Sequence, residues 1–364
     1  MSSSASKSSS KTLSVQAIVF SEILLAVLAL LFSLLFSVPD PGQSRPDWYS
    51  YGTSMFEAVA FFTAAMLCFR NWNSPQIVSG RRVWLGIGLG MLFYGIGTIL
   101  FTFWETYLGR EAAVSPGDFF FVPTYIFLSW GMIMAFADRR LNLDLWQWAI
   151  VGLIAAISIA FATWLTLATN AKLPTQSFLG EPAIAQTAPA QTAPAQIAPA
   201  QIAPTKPAPR ATIAPAPKPS PVVNATPAAP KPTAAPTESK QEQPAEESAP
   251  AWVVLIETQL EPLKPFLDYF YVLADVFILI IATTLLLAFW GGRFSQSWRM
   301  IAAAAFSLYI ADMWFKYATT QLENYQSGAL VEIFWTFSGV LFGIGAALEF
   351  DLSRSRRSSS RRRA

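Results

Sequence analysis

Two carboxylates sit inside apolar runs otherwise fit to cross a bilayer: Glu57 in FEAVAFFTAAMLCFRNW and Asp275 in ADVFILIIATTLLLAFW. Each precedes a tryptophan, Trp72 or Trp290, by 15 residues. An ionisable group within a span costs a few kcal/mol on insertion scales, so it faces a bundle interior or water and is paired or functional. Further polar residues follow in later runs: Asp312, Trp314 and Lys316, the tyrosines Tyr94 and Tyr309, and the acids Asp118 and Glu332. These predict a polar vestibule open to the extracytoplasmic side and lined by Glu57, Asp275, Asp312, Tyr94, Tyr309 and Trp314. A plainer reading stands beside it. Asp118 and Glu332 open helices where the dipole favours an anion and can serve as caps, Asp312 and Lys316 can neutralise each other at i and i+4, and Tyr and Trp populate membrane-interface belts without binding anything.

The rest of the composition limits the chemistry. Of 364 residues, 53% are hydrophobic and only 13% charged, which places the chain among membrane proteins. There is no histidine, which removes imidazole as metal ligand, phosphoacceptor or general base. The lone cysteine, Cys68, excludes an internal disulfide or a multi-cysteine metal site. The glycine-rich run at 86 to 97 lies within a span and follows no strand, so it is neither a dinucleotide nor a phosphate loop. Walker, nucleophile-elbow, HExxH and CxxC patterns are missing from the sequence. The expectation is a non-enzymatic protein without metal or cofactor.

A spanning helix needs about 20 apolar residues, and about eight runs qualify: roughly 15–38, 52–70, 83–104, 118–137, 146–168, 266–290, 298–318 and 328–349. The first reads as an uncleaved anchor, since no AxA-like site follows it; a signal peptide is the alternative. Arginines fall in alternate connections: Arg70, Arg81 and Arg82; Arg139 and Arg140; Arg293 and Arg299; and the group after the last run. By the positive-inside rule both termini are cytoplasmic. The expected organisation is a Ser-rich cytoplasmic tail (1–14), a first membrane half (15–170), an Ala/Pro-rich extracytoplasmic linker (171–250), a second half (251–350) and a basic cytoplasmic tail (351–364). The linker, with its tandem QTAPA and QIAPA words, buries too little apolar surface to fold and reads as a disordered tether or a spacer toward an envelope partner. The stretch AWVVLIETQLEPLKPFLD, interrupted by Pro262 and Pro265, reads as interfacial.

The two halves resemble each other. After the acid and its tryptophan comes a basic turn, then Trp84 or Trp298, then a small-residue helix with a central tyrosine, GIGLGMLFYGIG against IAAAAFSLYIAD, pairing Tyr94 with Tyr309. A third helix opens on an acid and aromatics, SPGDFFFVPTY against SGALVEIFWTF, pairing Asp118 with Glu332. One extra helix separates the units, so equivalent helices run in the same direction and the repeats are parallel. Gly86 with Gly90, and Gly339 with Gly343, have the GxxxG spacing of close helix approach. The fold class is therefore an all-α integral membrane bundle of about eight spans with two parallel three-helix repeats.

Arg354, Arg356, Arg357, Arg361, Arg362 and Arg363 crowd the C-terminus among serines. Such clusters attract anionic lipid head groups by about 1 kcal/mol per charge; a phosphorylation-tuned switch is the alternative, and nucleic acid is not an expected partner. The acid in the first third of one helix, the GGR turn, the helix carrying YIAD, the SG loop and the acid before FW together resemble the multi-span sensory regions ahead of diguanylate cyclase and histidine kinase domains in bacteria. The likeness covers roughly 52–140 and 266–350. It implies an input module in a bacterial inner or internal membrane, acting through protein partners. No GGDEF-like or kinase domain follows the last helix, and the linker is an insertion. A membrane assembly scaffold and a small-solute or cation transporter on parallel repeats are the alternatives.

Overall fold

The computed structural model describes residues 14–39, 45–110, 114–137, 143–170, 250–290, 295–322 and 325–361. The Ser-rich tail before Ser14, the linker before Pro250, and Arg139, Arg140, Arg293, Arg362 and Arg363 lie outside the described residues, as do the side chains of Arg356, Arg357 and Arg361. Within them the chain is all-α: α1 (Val15–Phe36), α2 (Asp47–Trp72), α3 (Arg81–Thr102), α4 (Asp118–Ala137), α5 (Leu145–Asn170), α6 (Ala251–Leu260), α7 (Lys264–Ala288), α8 (Ser295–Gln321) and α9 (Ile333–Arg361). The basic tail is thus helical as far as Arg361, continuing α9 without a break.

Seven helical stretches are long and apolar enough to cross a membrane: α1, α2, α3 with its extension to Tyr107, α4, α5, the run Ala251–Ala288, and α9. The eighth expected span corresponds to α8, which is 27 residues long but carries Arg299, Asp312 and Lys316 and falls outside that set. The stretch after the linker also differs from expectation. Pro262 and Pro265 do not interrupt the chain's helical course, because each falls in the first turn of its element, a single 3₁₀ turn (Glu261–Leu263) and α7, where the missing N–H has no intrahelical partner to lose.

The packing forms a closed ring. α3 lies against α2 and α4; α8 lies against α7 and α9; α2 meets α9, and α4 meets α7. α1 covers α9 and α2 from outside, and α5 covers α7 and α8. Small residues set the closest approaches. A Cβ on Gly86 would come within 2.5 Å of the Gly131 Cα, and one on Gly339 within 2.9 Å of the Ala60 Cβ. Gly345 also sits close on α8, its would-be Cβ 3.0 Å from Ile301 and 3.2 Å from the Ser297 carbonyl. α1 and α5 turn Leu31, Leu35, Ile157 and Trp164 outward, as helices at a lipid boundary do.

The two ends of the ring differ in character. At the end holding the α2 C-terminus and the α3 N-terminus, Trp84, Trp298, Ile301, Leu285 and Phe342 fill the interior. Helices are pinned together there by Asn71 Nδ2 donating to the Ala346 carbonyl at 2.9 Å and Ser297 Oγ to the Gly345 carbonyl at 2.8 Å. Arg70 stacks on Phe350 at 4.2 Å and Arg299 on Trp290 at 4.6 Å. The opposite end is hollow.

Candidate functional site

The hollow end contains a cavity of about 190 Å³. It is framed by the N-terminal halves of α2, α4, α7 and α9 and the C-terminal halves of α3 and α8. Each side chain arrives there for a local reason. α4 starts on SPGD, and the Asp118 carboxylate accepts from the Ser115 N–H at 2.8 Å while Ser115 Oγ accepts from the Gly117 N–H, a reciprocal cap. The same carboxylate accepts the Tyr271 hydroxyl of α7 through its other oxygen, so the cap also ties α4 to α7. α3 ends in a π-helical turn, Phe103–Tyr107, whose wider spiral carries Glu105 over to the α8–α9 loop. There Glu105 accepts from the Ser327 N–H and hydroxyl, at 3.2 and 2.8 Å.

That loop covers one side of the mouth. Tyr49 donates to the Gly328 carbonyl at 2.9 Å, and Arg45 donates to the backbone carbonyls of Ser37, Gln326 and Ser327. Gly328 has φ of 103°, a conformation that favours glycine. Glu332 accepts from the Gly328 N–H at 2.6 Å and from the Tyr325 hydroxyl, so its observed contacts hold the loop's shape.

Glu57, Asp275, Asp312 and Tyr94 all line the cavity, and so do Asp118 and Glu332. Tyr309 and Trp314 are not among the lining residues, and this corrects the vestibule expected from sequence. Tyr309 packs with Val272, Val276 and Met313 and directs its hydroxyl at the Ser158 carbonyl of α5, 3.4 Å away. Trp314 rests beside Tyr317, with ring centroids 6.0 Å apart. The cause is rotation: each residue turns a helix by about 100°, so Trp314 lies about 200° round α8 from Asp312. The residue of α8 as far beyond Trp298 as Tyr94 is beyond Trp84 is Leu308, not Tyr309.

The floor of the cavity carries the contrast that matters most. Glu57 accepts the Thr98 hydroxyl at 2.8 Å. Asp312 accepts the Tyr125 hydroxyl at 2.6 Å and the Trp335 indole N–H at 2.7 Å. Asp275 is 2% exposed, and neither of its carboxylate oxygens has a well-formed hydrogen bond among the described residues. Asp312 and Tyr125 lie immediately beside it and are bonded to each other, and Tyr94 and Tyr271 face it as well. Higher up, Lys316 pairs with Asp268, not with Asp312 as the i, i+4 spacing allows. Sequence reading did not single out Glu105, Asp268, Tyr125, Tyr271 or Trp335. Glu105 counted as loop, and the aromatics resembled belt residues until their hydroxyl and indole partners on other helices were visible.

Comparison with protein families, with curated proteins and with solved structures finds no match to this chain. The site therefore has to be interpreted from its own geometry. What it offers is a pre-formed concave space with polar groups convergent on one floor, the usual form of a small-ligand site.

Proposed function

We propose that the protein is a membrane-embedded receptor-like module that binds a small solute at one end of its bundle and passes the occupied state to partner proteins. The observation that carries this reading is the one-ended cavity: open and floored by Glu57, Asp275 and Asp312 at one end of the bundle, and filled with Trp84, Trp298 and Phe342 at the other. Transport by alternating access needs both ends to open around a central site, and a filled end favours binding over passage.

The proposed membrane arrangement has eight spans, with α8 as the seventh, its Asp312 and Lys316 turned to the cavity and not to lipid. Two parallel three-helix units, α2–α4 and α7–α9, compose the ring. Support comes from packing and spacing together. Trp84 and Trp298 are both the fourth residue of their helices and both buried; Gly131 and Gly345 both abut the second helix of their unit. The separation between Trp84 and Trp298 equals that between Asp118 and Glu332 and that between Gly131 and Gly345. The cross contacts α2 with α9 and α4 with α7 are what a two-fold axis along the membrane normal generates. Arg70, Arg81, Arg82, Arg299 and Arg354 belong to the filled end, which we assign to the cytoplasm by the positive-inside rule, together with both termini. The cavity then opens extracytoplasmically, the arrangement of an external sensor, consistent with the resemblance to bacterial sensory regions.

Purification of the full chain from native membranes in mild detergent, with mass spectrometry of co-purifying proteins and small molecules, tests this. The expected outcome is a stoichiometric protein partner and no solute uptake when the chain is reconstituted alone in proteoliposomes. Solute uptake by the chain alone would replace the receptor reading with transport.

A further inference from the structure

The two halves of the ring treat their acids differently. Thr98 and Asp312 stand at matching places, each fourteen residues beyond the tryptophan near the start of its helix. In the first unit the acid on the neighbouring helix, Glu57, receives the Thr98 hydroxyl. In the second the neighbouring helix offers Asp275 a carboxylate instead. Tyr125, which lies beside both acids of the second unit, donates to Asp312, and so does the Trp335 indole. A buried carboxylate is disfavoured unless a donor or a proton compensates it, so this spot favours a ligand that brings its own N–H groups.

We propose that Asp275 and Asp312 form the binding point for a protonated primary or secondary amine. The assignment rests on the receptor reading above and names its ligand class. Three features narrow it. The floor is dominated by the acceptors Glu57, Asp275 and Asp312, with the Thr98 and Tyr125 hydroxyls and the Trp335 indole already donating, so a ligand that donates fits it best. Among the described residues no group of three Asp, Glu, His or Cys is arranged to hold a metal ion, and the cavity of about 190 Å³ is larger than a bare ion needs. Tyr94, Phe121, Tyr125 and Trp335 line the cavity as well, giving an apolar and aromatic wall for a carbon skeleton, with cation–π attraction to the ammonium. A quaternary ammonium would meet the rings but leave the Asp275 oxygens without a hydrogen bond. The N–H donors are what the site selects. Of the two lysines lining the cavity, Lys316 pairs with Asp268 two turns of α7 above Asp275, and Lys264 lies about one turn further up.

The ammonium group has two possible sources, a free amine and the headgroup of an aminophospholipid, and the experiment separates them. The full chain is reconstituted in nanodiscs of phosphatidylcholine alone, or with phosphatidylethanolamine. It is titrated with butylamine and phenethylamine, with butanol, butyrate and tetramethylammonium as controls, read by calorimetry and by Trp emission. The expected result is saturable amine binding in phosphatidylcholine discs and none by the three controls. Asp275→Asn and Asp312→Thr, the latter giving Asp275 a neighbouring hydroxyl like the one Glu57 has, should each weaken the amine at least tenfold, while Asp351→Asn, outside the cavity, changes affinity less than threefold. Loss of amine binding in the phosphatidylethanolamine discs alone identifies the lipid headgroup as the source. Equal binding of butylamine and butanol by the wild-type chain, or unchanged amine affinity in Asp275→Asn, overturns the proposal without recourse to any variant's stability. Binding of butyrate or a neutral solute instead removes the amine assignment and leaves a receptor. If neither the amines nor the controls bind in either disc, both the amine assignment and the receptor reading fall.

Discussion

Glu57 and Asp275 are chemically alike and occupy matching helices, yet one has a hydroxyl partner and the other faces an acid. That difference sets the energetics of single substitutions. Removing one partner of a buried hydrogen bond leaves the other with its full desolvation penalty, about 1–3 kcal/mol and more for a charged group. Thr98→Val should therefore destabilise the bundle by about 1–3 kcal/mol in denaturant unfolding, whereas Thr98→Ser, which keeps the hydroxyl, should cost less than about 1 kcal/mol. Trp335→Phe removes one of the two donors to Asp312 and should destabilise by a similar amount to Thr98→Val. Asp275→Asn goes the other way: it replaces an unpartnered carboxylate with a neutral amide of the same shape, and the empty protein should be as stable as wild type or more so. An acid in an apolar run is easy to see in a sequence, which is why Glu57 and Asp275 stand out. Glu22 obeys the same rule inside α1, buried at 5% exposure against Gly343 of α9, but without a counterpart in the other half to draw attention to it.

Helix contacts here depend on glycine in some places and tolerate side chains in others, and the sequence spacing does not say which. Gly86 lies where α3 crosses α4, and an added Cβ would meet the Gly131 backbone at 2.5 Å. Backbone cannot move aside as a flexible side chain can, so Gly86→Ala should force α3 and α4 apart and cost about 1–3 kcal/mol, the usual range for overpacking. Gly152 of α5 has nothing within 4 Å of its would-be Cβ. There Gly152→Ala should leave stability unchanged or raise it by up to about 1 kcal/mol through helix propensity. Unfolding the two variants side by side in one detergent checks both. The GxxxG reading of Gly86 with Gly90 and of Gly339 with Gly343 is matched by close contacts at all four positions, but to different neighbours: α4 for the first pair, and α2 and the Glu22 side chain of α1 for the second.

At the scale of the whole molecule, the proposed topology puts the cavity and both chain termini on opposite sides of the membrane. Cys68 is fully buried, so the wild-type chain gives a low background for thiol labelling. A cysteine at the exposed Leu322, near the mouth, should react with an impermeant maleimide in intact cells; one at the exposed Asp351, beyond the filled end, should react only after permeabilisation. The reverse pattern would invert the orientation and place the cavity in the cytoplasm. Much of this architecture is legible in the sequence. Long apolar runs must become helices in a bilayer because every backbone polar group has to be satisfied within its own segment, so the all-α class, the places of the helices and the two odd carboxylates are fixed by local composition. What local composition does not contain is the angle at which each helix presents its residues and the identity of the helix it meets. Trp314 leaves the cavity because it lies about 200° round α8 from Asp312, and Tyr309 because it sits about a turn deeper on α8, packed against α7 and α5. Tyr125 and Asp312, 187 positions apart, find each other only in the closed ring. Tertiary packing alone decided that Glu57, Asp118, Asp275, Asp312 and Glu332 share one space, and that Asp312 takes the Tyr125 and Trp335 donors while Asp275 sits beside a second carboxyl.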